Sequence, residues 1–78
     1  MNSSFETIPP LSKREIEVLN WLKKGKSSWD IATILNITER TVNFHVRNIM
    51  QKLNAVSRTQ AVAVAIENNL INTSLTAS

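Results

Sequence analysis

Only Asn36 and Ile37 separate a segment that reads as one helix from the Thr38 cap of the next. A joint that short forces the two helices to cross rather than lie antiparallel, the geometry of a helix-turn-helix. The flanking residues agree with this. Ser27 with Asp30 opens the earlier helix, which carries Ile31, Ala32 and Leu35, and Asn36 can take the left-handed conformation that stops it. Ala32 is small enough to let this second helix approach the first closely, and Ile31, Leu35, Ile37 and Val42 are the expected apolar clamp. After Thr38, the residues Val42, Val46, Ile49 and Leu53 recur at spacings of four, three and four, one apolar stripe on a helix that ends near Asn54.

Two more helices complete the pattern. Ser12 followed by Glu15 is a capping box for a helix over residues 13–24, with Ile16, Leu19 and Leu22 on one face and Gly25 at its end. Ser57 and Gln60 form another box, for a helix that runs to about Asn69. Val62 to Ile66 is β-branched enough for a strand, but the cap, the alanines and the lack of a partner strand favour helix. The expectation is an all-α, four-helix domain over residues 11–71. It lies between an extended arm at 1–10, ending Pro9-Pro10, and a small polar tail at 72–78.

At 78 residues the chain has room for one domain. A chain this short buries only about 60% of the surface it exposes unfolded, so its core is thin and a second copy or a neighbouring domain would help it. With no cysteine there is no disulfide framework, zinc ribbon or cysteine nucleophile. The longest apolar run, Ala61 to Ile66, is six residues, against roughly 20 for a membrane-spanning helix. These features lead to the expectation of a soluble, cytoplasmic protein with no membrane partner.

Catalysis is poorly supplied. His45 is the sole histidine and Gly25 the sole glycine, so neither a phosphate-cradling loop nor a set of metal ligands can be assembled, and the cap serines are committed to backbone. We therefore expect no enzyme, no cofactor and no metal. His45 reads as a packed histidine on the edge of the third helix.

The charge pattern is more informative. Net charge is +3, and from Arg40 to Ile66 the chain carries Arg40, Arg47, Lys52 and Arg58 without one acid. A solvated cationic face would look the same, so the third helix has to decide. With its stripe inward, Arg40, Phe44, Arg47 and Gln51 point out and Asn43 flanks them. A phenylalanine among Asn, Arg and Gln suits a DNA major groove, where Arg reads guanine, Asn reads adenine and an apolar group meets the thymine methyl. Expected base contacts are Asn43, Phe44 and Arg47. Expected phosphate contacts are Lys26 and Arg40, the Thr38 and Thr41 hydroxyls, and the backbone N–H groups of Ser28 and Trp29 at a positive helix terminus. The competing reading is a protein-interaction module that docks a partner helix on Phe44 and the Val/Ala face of the fourth helix.

Taken together, Leu11-Ser12-Lys13-Arg14-Glu15, Val18-Leu19, Gly25, Ile31-Ala32, Thr41-Val42, His45, Asn48-Ile49, Lys52-Leu53, Ser57-Arg58 and Ala61 resemble the C-terminal DNA-binding domain of LuxR-type transcriptional regulators. The resemblance covers residues 11–71 without a gap. Ser28-Trp29-Asp30-Ile31 and Thr41 to Val46 are most similar to the branch whose full-length members sense acyl-homoserine lactones, a quorum-sensing role. It implies a third helix in the major groove of double-stranded DNA, a homodimer through the fourth helix, and a sensory domain that commonly precedes this one. An RNA polymerase or an anti-activator is a further implied partner. Ala63, Val64 and Asn68 are the expected dimer contacts, facing away from Ala61, Val62 and Ala65. The sensor is not in this sequence, which reads as a shortened chain in preference to a natural stand-alone regulator. Many family members carry Lys or Arg at the position of Asn43, so their base preference does not transfer.

Overall fold

The computed structural model describes residues 9–71 of the chain. They form α1 (Lys13–Lys23), α2 (Ser28–Leu35), α3 (Glu39–Lys52) and α4 (Arg58–Glu67), with no strand among the described residues. The expected all-α fold is the one observed. Of the expected arm and tail, residues 1–8 and 72–78 lie outside the described residues.

Every helix starts in the same way. Ser12, Ser27, Thr38 and Ser57 sit in extended backbone, and each side-chain oxygen accepts the N–H three residues on, at 3.1, 3.1, 3.0 and 3.0 Å. Each bond satisfies a donor that the helix itself leaves unpaired. The box is reciprocal at Ser12/Glu15 and Ser27/Asp30. At Ser57/Gln60 only half of the expected box forms, because the Gln60 Oε1 accepts from the Val56 N–H at 2.7 Å.

Every helix also ends in the same way. Gly25, Asn36, Asn54 and Asn69 adopt φ of 84°, 58°, 54° and 59°. Around each, the next residue's N–H reaches back five positions: Lys26 to Trp21, Ile37 to Ala32, Ala55 to Met50 and Leu70 to Ala65, at 3.1, 3.0, 2.8 and 2.8 Å. These are Schellman closures, and Ile37, Ala55 and Leu70 pack on the core as such closures favour. Asparagine accepts the left-handed conformation at three stops with little steric cost.

The helix at the centre is α3: α1, α2 and α4 all pack on it, and α1 also packs on α4. Its stripe of Val42, Val46, Ile49 and Leu53 is buried as the spacing predicts. On α1 the buried face is Glu15, Val18 and Leu19, with Ile16 and Leu22 half-buried, because both α3 and α4 press on this helix. On α4, Ala61 and Ala65 are buried and their small size lets the helix come close. The expectation for Val64 is corrected here. It is half-buried and packs against the core, since positions 61, 64, 65 and 68 share one helical face.

One ion pair joins the first turn of α1 to the last turn of α3. The Glu15 side chain, 6% exposed, accepts from Lys52 Nζ at 2.8 Å and from the Ser12 N–H at 2.9 Å through the same oxygen, and Lys52 also donates to the Pro10 carbonyl at 3.2 Å. Burial pushes the Glu15 carboxyl up, but the hydrogen bonds from Lys52 and Ser12 and the ammonium charge outweigh it and hold the carboxyl below its ordinary value. The pair's stability is therefore complete above the unfolded carboxyl pKa of about 4.3 and is lost as pH falls through the lower folded value. Lys52→Met should cost about 2–3 kcal/mol at pH 7 by leaving a buried carboxylate with one donor. In that variant the lowering by Lys52 is gone, and burial, which favours the neutral form of Glu15, is opposed only by the Ser12 hydrogen bonds. The deficit should shrink as pH falls toward about 3.5, and urea melts at both pH values check this; a deficit that stays constant counts against the pair.

Candidate nucleic-acid interface

The outer side of α3 follows from its inner side. With the stripe held by three helices, Arg40, Phe44, Arg47 and Gln51 are left exposed, and Phe44 keeps 51% of its surface in solvent. Phe44 meets the His45 ring edge-on, with centroids 5.7 Å apart, which steadies its direction without covering it. His45 is half-buried on the helix edge, as expected.

The start of α2 adjoins this face. Ser27 and Asp30 close the cap on each other, with Ser27 also donating its hydroxyl to the Asp30 carboxylate at 3.0 Å. Trp29 stands 64% exposed in the first turn. Sequence reasoning used only its backbone N–H, whereas the indole itself is presented. At the start of α3, the Thr38 and Thr41 hydroxyls lie 2.9 Å apart and Thr38 also accepts the Thr41 N–H. Whichever hydroxyl donates to the other, one O–H stays available to an external acceptor.

Asn43 departs from expectation. Ser28 is buried, and its hydroxyl bonds the Asn43 Oδ1 at 2.7 Å. Arg58, the first residue of α4, donates from Nη2 to the same oxygen at 2.9 Å. Asn43 is half-buried beneath the exposed row and not free beside it. Pairing with adenine through both amide atoms needs the oxygen that these two donors already occupy. Sequence reasoning counted Arg58 within the basic stripe and the family resemblance and gave it no site role. Its signal was positional, since a cation in the first turn of a helix opposes the macrodipole and has to be repaid by another contact.

Lys26 and Arg40 are exposed. Lys26 and Arg58 also rim an open groove of about 480 Å³ between α1 and α4, floored by Leu22, Val62 and Ile66. Of the expected dimer residues, Ala63 and Asn68 are exposed, and Asn68 Nδ2 donates to the Val64 carbonyl at 2.8 Å. Among the described residues no group of three or more His, Cys, Asp or Glu could hold a metal ion, and no helix is long and apolar enough to cross a membrane.

The domain as a whole is similar to known proteins. Residues 9–65 match the model of GerE, the luxR family of bacterial regulatory proteins. The chain belongs to the luxR family. It is a DNA-binding helix-turn-helix domain of those transcription regulators. The quorum sensing-dependent transcriptional regulator RpaR of Rhodopseudomonas palustris is 51% identical over 61 residues, 78% of this chain and 25% of RpaR. Among solved structures, Escherichia coli SdiA aligns with a TM-score of 0.74 at 49% identity, over 78% of this chain and 26% of that one. The transcription factor GerE aligns with a TM-score of 0.77 at 33% identity, over 82% of this chain and 96% of GerE. The chain thus spans about a quarter of RpaR and SdiA and nearly all of GerE.

Phe44 and Val42 are two residues apart on α3 and do opposite work. Phe44→Ala should change stability by less than about 1 kcal/mol, because half of the ring is already in water, whereas Val42→Ala should cost about 2–3 kcal/mol. Thermal or urea melts of the two variants check the contrast. Comparable losses would make Phe44 part of the core.

Proposed function

We propose that this domain regulates transcription by binding a specific, palindromic double-stranded DNA site as a dimer, with α3 in the major groove. The observation that carries the reading is the exposed row of Arg40, Phe44, Arg47 and Gln51 on a helix whose other side is the core of the domain. Arg47 has the forked donors for guanine N7 and O6, Phe44 offers a ring to a thymine methyl, and Asn43 lies between them and the start of α2. Lys26, Arg40, the N-terminal N–H groups of α2 at Ser28 and Trp29, and the Thr38/Thr41 pair hold phosphates and set the register. The likeness to RpaR supports a place among quorum-sensing regulators.

Selection of bound duplexes from a random pool tests the reading, and a palindrome of two half-sites about one helical turn apart is the expected product. Enrichment of no sequence would overturn specific binding. On the selected site, Arg47→Ala should cost about 1–3 kcal/mol and relax preference at one base pair per half-site. A uniform loss on every sequence would move Arg47 to the phosphates.

The dimer surface is best placed on Ala63 and Asn68, with the uncovered side of Val64 next to them. A charge at Val64 would disturb the core it packs on, so Ala63 is the residue to change. Ala63→Glu should weaken binding to a two-half-site duplex at least tenfold, about 1.4 kcal/mol, and leave binding to a single half-site and the melting temperature unchanged. Unchanged affinity for the double site would remove α4 from the dimer.

A further inference from the structure

We infer that Ser28 and Arg58 lock the Asn43 carboxamide so that it presents donors only to the DNA, which makes Asn43 a reader of base edges rich in acceptors. The inference rests on the DNA reading above and specifies its chemistry. A guanidinium has five N–H donors and no acceptor, so the Asn43 atom 2.9 Å from Arg58 Nη2 has to be the amide oxygen. That assignment fixes the other contact. The Ser28 hydroxyl, 2.7 Å from the same oxygen, donates to it, and the two bonds use both lone pairs. What remains is the Nδ2 amino group, with two hydrogens and nothing to accept with.

The two locking residues are otherwise costly where they stand. Ser28 is buried, and Arg58 places a positive charge in the first turn of α4, where the helix dipole opposes it. A shared bond to one amide oxygen accounts for both. It also links the start of α2 and the start of α4 to the middle of α3, so three helices fix the direction of a single amino group. Adenine shows the major groove an N6 amino group beside N7, and that amino group meets the Asn43 donor head-on. Guanine shows N7 and O6, two acceptors and no donor. The locked Asn43 therefore favours guanine at its position and disfavours adenine. Ser28 and Arg58 act as positioning residues.

The experiment measures binding of the wild-type chain, Asn43→Ala, Arg58→Ala and Arg58→Lys to every single-base variant of the selected duplex. Asn43→Ala identifies the base pair in question. There the wild type should prefer guanine, Arg58→Ala should lose about tenfold of that preference and tolerate adenine, and Arg58→Lys, which keeps a donor, should retain it. Preferences elsewhere in the site should not move. A wild-type preference for adenine at that base pair, or an equal loss at all positions for Arg58→Ala, overturns the lock; the second outcome makes Arg58 a phosphate contact. A second readout needs no DNA. In the free protein the Asn43 side-chain amide resonances should shift in Arg58→Ala, and unchanged resonances overturn the lock outright. If the wild type binds no duplex, the DNA reading fails and takes the base preference with it, while the amide resonances still report whether the lock exists.

Discussion

Burial of one side of α3 is the constraint on which the remainder depends. Val42, Val46, Ile49 and Leu53 are the surface against which α1, α2 and α4 all assemble, so the helix that presents Arg47 and Phe44 to solvent is also the one that the other three hold. Each of the larger of these side chains gains about 1.5–3 kcal/mol from leaving water. In a thin core, that is a large share of what holds the domain together. The exposed row therefore sits on the helix that carries the core, and its placement follows from how the stripe is buried.

Polar contacts then fix α3 along its length. Near its C-terminal end Lys52 bonds a buried Glu15 that is already closing the cap of α1, and near its N-terminal end Asn43 takes bonds from α2 and α4. Both sets use one oxygen to satisfy two donors from different elements. Such shared acceptors resist disruption, since loss of either donor leaves the acceptor oxygen less well satisfied. The apolar stripe sets where α3 lies and which side is inward, and these contacts add to the hold on that rotation. Rotation matters for base reading because 100° is one residue of register on a helix.

Local signals in the chain were strong because each is chemically self-contained. A serine or threonine at each start and a glycine or asparagine at each stop need only the next few residues of backbone to act, and all eight do so in the structure. The α3 stripe was legible for a similar reason, having four apolar residues and no polar interruption. The α1 face was harder to read. Glu15 occupies a core position, so an apolar pattern places the centre of the face at Ile16, whereas the true face runs through Glu15, Val18, Leu19 and Leu22. On α4 the run from Ala61 to Ile66 is apolar on every side, so the helical period, which groups Val64 with Ala61 and Ala65, does not by itself say that this side is turned to the core.

By itself the sequence determined the number of helices, where they start and stop, the short joint between α2 and α3, and the row that α3 leaves exposed. These are matters of backbone hydrogen bonding and of period, which operate within about one or two helical turns. Only the tertiary structure decided that Glu15 meets Lys52, 37 residues away, and that Ser28 and Arg58, each 15 residues from Asn43, meet on its amide oxygen. A long-range polar pair leaves no periodic trace in a single sequence. Its partners are chosen by the packing of whole helices, and the hydrogen-bonding state of a side chain such as Asn43 is known only once the packing is.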